Sequence, residues 1–189
     1  MTAITIQEIE AARQQQAGLV LRTPLIYSHT LSRASGREVF LKLENLQTTG
    51  SFKLRGAINR LARLKARGEG ARVVAASAGN HGQGVAFAAA QLGLPATIVM
   101  PLGASISKQL ATQGYGAQVI LHGRDLGEAL VRAQDLVGQG YIFIHPFDDP
   151  EVIAGQGTLG LEIVEDLPEV DTVVLPVGGG GLAAGAAVA

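Results

Sequence analysis

From Glu38 to Val177 the chain alternates short apolar runs with longer stretches of helical period. EVFLKLE, Glu38 to Glu44, alternates as a strand does, and further strands are read at Arg72–Ser77, Ala96–Met100, Ala117–Leu121, Tyr141–His145 and Thr172–Val177. Between them helices are read at Phe52–Arg67, Gly82–Gly93, Ser105–Gln113, Asp125–Val137 and Glu151–Glu165. Strands spaced by helices of this length need crossover connections. The sheets are therefore expected to be parallel, and right-handed crossovers put helices on both faces. The fold class is α/β, doubly wound. Ahead of this region, Thr5–Gly18 reads as a helix capped by Thr5 with Glu8 three residues on. LRTPLIYS is extended, as the residue before Pro24 prefers, and HTLSRASG is a short helix ending at Gly36. No repeat of fixed period and no low-complexity linker interrupts the pattern.

Ligands of open parallel sheets bind beyond the carboxyl ends of the strands. Two glycine-rich stretches stand there. SAGNHGQG, Ser77 to Gly84, follows RVVAAS, and VGGGGL, Val177 to Leu182, follows DTVVLPV. Gly178–Gly181 has no side chains, so backbone N–H groups can approach a ligand, and the helix that follows adds its positive end. Together they suit a phosphate, although a glycine run after a strand is also an ordinary turn. It is no dinucleotide fingerprint, because no acidic residue can be sought some twenty positions on. In the first stretch Asn80 offers a donor and an acceptor, and it also reads as a helix N-cap. His81 is a candidate general base, with loop packing as its ordinary use. His29, His122 and His145 show no metal-ligand spacing, so no metal site is expected. Asp148 and Asp149 beside Pro150 read as a helix start.

A third stretch is GSFKLRGA, Gly50 to Ala57. Lys53 is one of four lysines against eleven arginines. Lysine differs from arginine in that its amine can lose its proton and attack a carbonyl. An exposed charge is the ordinary use of a lysine, but positive charge in a helix's first turn opposes the dipole. Arg55 is read as pairing with Glu44 or with water.

Hydrophobic residues make up 47% of the 189 residues and charged residues 16%, which is enough to bury a sizeable core. A net charge of −1 gives no reason to expect nucleic acid or an anionic membrane as partner. With no cysteine there is no disulfide framework and no thiolate metal site. MTAITIQEIEAARQQ lacks the basic start and apolar core of a signal peptide, and no run of membrane-spanning length follows. A cytoplasmic protein is the expectation.

Taken in order, GSFKLRGA, SAGNHGQG and GGGGL resemble the pyridoxal-phosphate enzymes of fold type II, the tryptophan-synthase-β-like fold. More narrowly they resemble the serine/threonine dehydratase branch. The likeness runs on through KLENLQTTGSFKLRGA, VMPLGAS and FIHPFDDPEVIAGQGTLGLEI. It implies pyridoxal 5'-phosphate held covalently by Lys53, with Phe52 against the ring, Asn80 beside its 3-hydroxyl and Gly178, Gly179, Gly180 and Gly181 around its phosphate. It implies that Ser77, Ala78, Gly79, Asn80 and His81 hold the carboxylate of an amino-acid substrate. The implied reaction is β-elimination of L-threonine or L-serine to a 2-oxo acid and ammonia. In racemases of this fold a second serine follows the first in this loop, and here that position is Ala78. A racemase, a non-catalytic cofactor-binding fragment and a generic nucleotide-binding α/β protein are the alternatives.

The likeness also implies domains. Residues 1–51 belong to a large domain, 52–147 to a small α/β domain, and 148–189 to the incomplete second part of the large one, with the phosphate loop. The C-terminal half of the family pattern has no counterpart here. The chain alone is accordingly expected to be a weak cofactor binder and a poor enzyme, and the full-length protein to be a homo-oligomer.

Overall fold

The computed structural model describes residues 4–69 and 72–189, so Met1–Ala3, part of the start read as lacking a signal peptide, lie outside the described residues. The chain opens with α1, Ile6–Gln16. Thr5 and Glu8 form the expected reciprocal cap, Thr5 N–H donating to Glu8 Oε2 at 2.8 Å and Glu8 N–H to Thr5 Oγ1 at 3.3 Å. Strand β1, Leu25–Tyr27, and helix α2, His29–Ser35, follow, and α2 ends on Gly36 at φ +69°.

Strand β2, Phe40–Lys42, is shorter than the Glu38–Glu44 read from alternation, and it pairs antiparallel with β1. The expected parallel alternation therefore begins one strand later. Only twelve residues separate Tyr27 from Phe40, and α2 returns the chain to the same end of the pair. A 3₁₀ turn, Glu44–Leu46, then leads away to α3, Lys53–Ala66.

The parallel sheet is built from β3 (Arg72–Ala76), β4 (Ala96–Met100), β5 (Gln118–Leu121) and β6 (Tyr141–Phe143), in the order β5-β4-β3-β6. Helices α4 (Asn80–Leu92), α5 (Ile106–Gly114) and α6 (Leu126–Val137) connect them. Alternate residues face opposite ways along a strand. Val73, Ala75, Ile98 and Met100 pack with Leu54, Ile58 and Leu61 of α3 and with Val85 and Ala89 of α4. Val74, Ala76 and Val99 pack instead with Ala129, Ala133 and Leu136 of α6. Both faces are covered, as a parallel sheet requires.

Helix α7, Pro150–Asp166, starts on an Asp149 cap with proline in its first turn, as read from the sequence. Helix α8, Gly181–Val188, closes the chain. Two readings need correction. Thr172–Val177 is not a strand. No strand among the described residues pairs with it, and a strand exists only through the ladder it joins; Val174 is 90% exposed. Asn80 is not the cap of α4. Gly79 holds that position without a side-chain bond, and Asn80 is the first helical residue.

Candidate active site

The strand order locates the site. The chain moves outward from β3 to β5 and then returns to place β6 on the other side of β3. The segments leaving the carboxyl ends of β3 and β6 are therefore neighbours, at the end of a parallel sheet where ligands bind. The segments leaving those two strands are Ser77–Gly79 and Ile144–Asp149.

Lys53 is the first residue of α3 and is half-buried. Its Nζ donates to the Pro146 carbonyl at 2.8 Å and stands 5.3 Å from the centroid of the Phe52 ring. Burial pushes its pKa below the ordinary lysine value, and no carboxylate opposes the shift. His81, on the first turn of α4, is buried, with Nε2 2.9 Å from the Ile144 carbonyl. A carbonyl only accepts, so Nε2 carries the proton and donates. Burial is the main reason its pKa falls to about 4, and the neighbouring charges of Lys53 and His145 lower it further. A neutral donor with so low a pKa is a poor general base, and it serves here to tie α4 to the end of β6.

His145 folds the segment after β6 on itself, its Nδ1 accepting from the Phe147 N–H at 3.3 Å and the Asp148 N–H at 2.7 Å. Phe147 then meets the glycine loop. A methyl group on Gly179 would fall inside its ring, and one on Gly181 would lie 2.7 Å from its carbonyl oxygen. Gly180 sits at φ +85°, where only glycine is unstrained. Helix α8 has no side-chain cap, which leaves its first N–H groups without a side-chain acceptor.

The strap Ile144–Phe147 thus gathers all three motifs: Lys53 through Pro146, His81 through Ile144, and Gly179 and Gly181 through Phe147. The approach of α4 to α3 reinforces this, since a Cβ on Gly84 would stand 3.1 Å from Leu54 N. Ser77 and Gly79 share a turn, with Gly79 N–H donating to Ser77 Oγ at 3.2 Å. Ala78 is half-buried in that turn, Asn80 is exposed, and Gly178 faces open space.

Sequence reasoning missed Pro146 and Phe147. The signal was there, because they follow the strand that returns beside β3, but a linear reading does not give strand order. It also missed Lys108, whose Nζ comes within 3.4 Å of where a Gly79 Cβ would be. Two shallow clefts lie elsewhere, one of about 420 Å³ lined by Arg60, Arg63 and Arg67, and one of about 430 Å³ near Tyr27 and Arg37. Neither touches the strap.

A half-buried primary amine, a side-chain-free loop and an uncapped helix start, gathered by one strap, have the chemistry to suit a phosphorylated aldehyde. The family described as pyridoxal-phosphate dependent enzyme matches residues 17–189. The chain belongs to that family. An L-threonine ammonia-lyase of Thermotoga maritima is 55% identical over 189 residues, covering 98% of this chain and 47% of the relative. The catabolic L-threonine dehydratase of Escherichia coli is 50% identical over 187 residues, covering 98% and 57%. Among solved structures, maize serine racemase aligns with a TM-score of 0.94 at 36% identity, over 98% of this chain and 57% of that one. The processed form of threonine deaminase isoform 2 from Solanum lycopersicum aligns at 0.88 and 38%, over 99% and 53%. The chain spans about half the length of the curated relatives it matches. The fold-type-II α/β architecture expected from the family resemblance is the one found.

Proposed function

We propose that the protein is a pyridoxal-phosphate-dependent ammonia-lyase that deaminates L-threonine, and L-serine as a second substrate, to the 2-oxo acid and ammonia. The observation that carries this reading is the Lys53 amine: half-buried, bonded to a carbonyl, with no carboxylate to hold its proton. The names of the relatives support the substrate. The bound cofactor supplies an electron sink for a carbanion at the substrate α-carbon. The chain's own groups do the rest. A lysine of lowered pKa is neutral more often near neutral pH, and a neutral amine can attach the cofactor and accept the α-proton. The Ser77 hydroxyl and the N–H groups of the Ala78–His81 turn at the start of α4 would hold the substrate carboxylate, with the Ser77–Gly79 bond that now closes the turn giving way to it. Gly178–Gly181 and the start of α8 would hold the cofactor phosphate, and Phe52 and Asn80 would hold its ring. In this reading residues 52–147 form one domain, and the flanking segments belong to another.

The likeness to serine racemase raises a second reading. Racemization needs a proton donor on the face opposite Lys53, and Ala78 has none to give, so elimination is the expected outcome. Two measurements test the proposal. Borohydride reduction with pyridoxal phosphate, followed by peptide mapping, is expected to find the adduct on Lys53; an adduct on Lys42, Lys65 or Lys108 overturns the assignment. L-serine recovered after partial turnover is expected to stay L, and D-serine forming faster than pyruvate sinks the elimination reading.

A further inference from the structure

Arg55 is the largest fully buried side chain among the described residues. A guanidinium stays charged even there, so its partners must be built in. Nε donates to Glu44 Oε2 at 2.9 Å and Nη2 to Glu44 Oε1 at 2.8 Å. On the other side Nη1 donates to Glu162 Oε1 at 2.7 Å and Nη2 to Glu162 Oε2 at 2.9 Å. Thr158 Oγ1 accepts from Nη1 at 3.2 Å, and Lys42 Nζ lies 2.7 Å from Glu162 Oε2. Two cations and two carboxylates balance in the interior. Burial alone would raise the pKa of Glu44; the bonds and charge of Arg55 win and hold it below the usual carboxylate value.

These contacts bracket Lys53. Glu44 opens the 3₁₀ turn and Arg55 lies two residues beyond Lys53, so their pairing closes TTGSFK into a loop. Glu162 and Thr158 are on α7, so the same guanidinium fixes that loop to a second helix. Two residues apart on a helix means about 200° around its axis. The amine therefore faces the strap while the guanidinium faces the opposite way. Both cations sit in a first turn, where the helix dipole disfavours them. The charge of Arg55 is cancelled by its partners and that of Lys53 is not.

We propose that Arg55 is a positioning residue for the Lys53 amine: it locks the first turn of α3 and keeps Glu44 and Glu162 engaged, so that no carboxylate stabilises the ammonium form. The proposal rests on the reading of Lys53 as the cofactor lysine. The groups around the amine fit it. They are the Phe52 ring on its own element, His81 from α4, and the Pro146 carbonyl and His145 after β6; none is anionic.

The test is the rate at which acetic anhydride acylates Lys53 as a function of pH, read by peptide mapping on the full chain without cofactor. Arg55→Met strips Glu44 of its cation and leaves Glu162 with Lys42 alone, so the network carries one negative charge in excess. It is expected to move the midpoint to higher pH and to slow acylation at pH 8 about three- to tenfold, the effect of a unit charge at roughly 10–15 Å in a partly buried setting. Glu44→Gln leaves the network one positive charge in excess, and is expected to move the midpoint the other way and speed the reaction by a similar factor. Arg55→Lys keeps the charge and is expected to hold the midpoint near that of the unaltered protein. A merely structural role would loosen the turn in Arg55→Met and Glu44→Gln alike and move both midpoints in one direction, which would overturn the proposal. Should Arg55→Met fail to fold, Glu44→Gln decides alone: an unchanged or slower rate refutes it. Borohydride mapping of the unaltered protein separately tests the reading of Lys53, so the two failures are distinguishable.

Discussion

The sheet with its connecting helices and the layer made by α1, α3, α7 and α8 are held together differently. In the sheet, cohesion comes from aliphatic side chains on both faces, with Val73, Val74, Ile98, Val99 and Met100 all at or below 1% exposure. In the helical layer, backbones touch. A Cβ on Gly155 of α7 would lie 2.6 Å from the Arg55 carbonyl and 2.7 Å from Gly56 Cα, and one on Gly157 would lie 2.9 Å from the Gly185 carbonyl of α8. The helix that carries Lys53 and the helix that follows the glycine loop are thus both seated on α7 at glycines. Buried polar groups complete the layer, with Gln16 Nε2 donating to the carbonyls of Arg55 and Gly155 at 2.8 Å each. Aliphatic packing tolerates small adjustments. Backbone contact and a charge network do not, and the layer that sets Lys53 and the glycine loop in place uses these.

The sharpest way to break this contrast is to add one methyl group in the layer and remove one in the sheet. In an exposed helix Gly→Ala stabilises by about 1 kcal/mol. At Gly155 the methyl has no room, and α3 and α7 must part. Gly155→Ala is expected to cost about 3 kcal/mol, as overpacking does, and to loosen the Arg55 network. Ile98→Val in the sheet is expected to cost about 1 kcal/mol. Urea unfolding combined with hydrogen exchange checks both, with the Gly155 variant losing protection first in α3, α7 and α8. A stabilising Gly155→Ala would show that the two helices do not meet at backbone distance.

The same contrast decides what the sequence revealed. Apolar alternation is local, so β4 appears at the residues read for it, and α3, α6 and α7 lie within a residue or so of their expected ends. The capping signals of Thr5, Asp149 and Gly36 are local too. Thr172–Val177 misled because six apolar-rich residues carry a strand's propensity whether or not a partner exists. The glycine motifs were legible because each follows a local apolar run and opens a helix, but the strap Ile144–Phe147 was not, since its place depends on β6 returning beside β3. Arg55 read equally well as solvated or paired; only the meeting of α3 with α7 and the 3₁₀ turn buries it. Glu162, far along the chain on α7, carries no mark of that role.

Acid is the second probe, and it acts within the sheet unit, between α4 and the end of β6. His81 ties the first turn of α4 to Ile144 and has a folded pKa of about 4 against 6.5 for the free side chain. The depressed value means that the folded state binds its proton later than the unfolded one. The contribution is therefore complete above about pH 6.5 and is lost as pH falls towards 4, amounting to roughly 3 kcal/mol over that window. His81→Gln can keep a donor to the Ile144 carbonyl without titrating. It is expected to flatten the stability profile between pH 6.5 and 4, measured by urea midpoints in a pH series. An unchanged slope would mean that His81 is not the buried neutral group described here.

The smallest effects come from helix caps, and these are expected not to distinguish the regions at all. Thr5 caps α1 in the helical layer, and Asp125 caps α6 in the sheet unit, its Oδ1 accepting from Glu128 N–H at 3.0 Å. Both caps are at the surface, and each satisfies a donor that water would otherwise reach. Replacing either by alanine is expected to cost about 1 kcal/mol. The helices behind them differ: α1 rests on Ile9 and Ala12 against Ala154, whereas α6 rests on Ala129, Ala133 and Leu136 against the sheet. If a cap acts only on its own first turn, that difference does not matter and thermal unfolding shows equal shifts. If Thr5→Ala costs several times more than Asp125→Ala, then fraying of α1 frees Gln16 from the Arg55 and Gly155 carbonyls. Cohesion of the layer would in that case extend along α1 from its last turn to its first, a coupling that the aliphatic contacts of α6 have no means to provide.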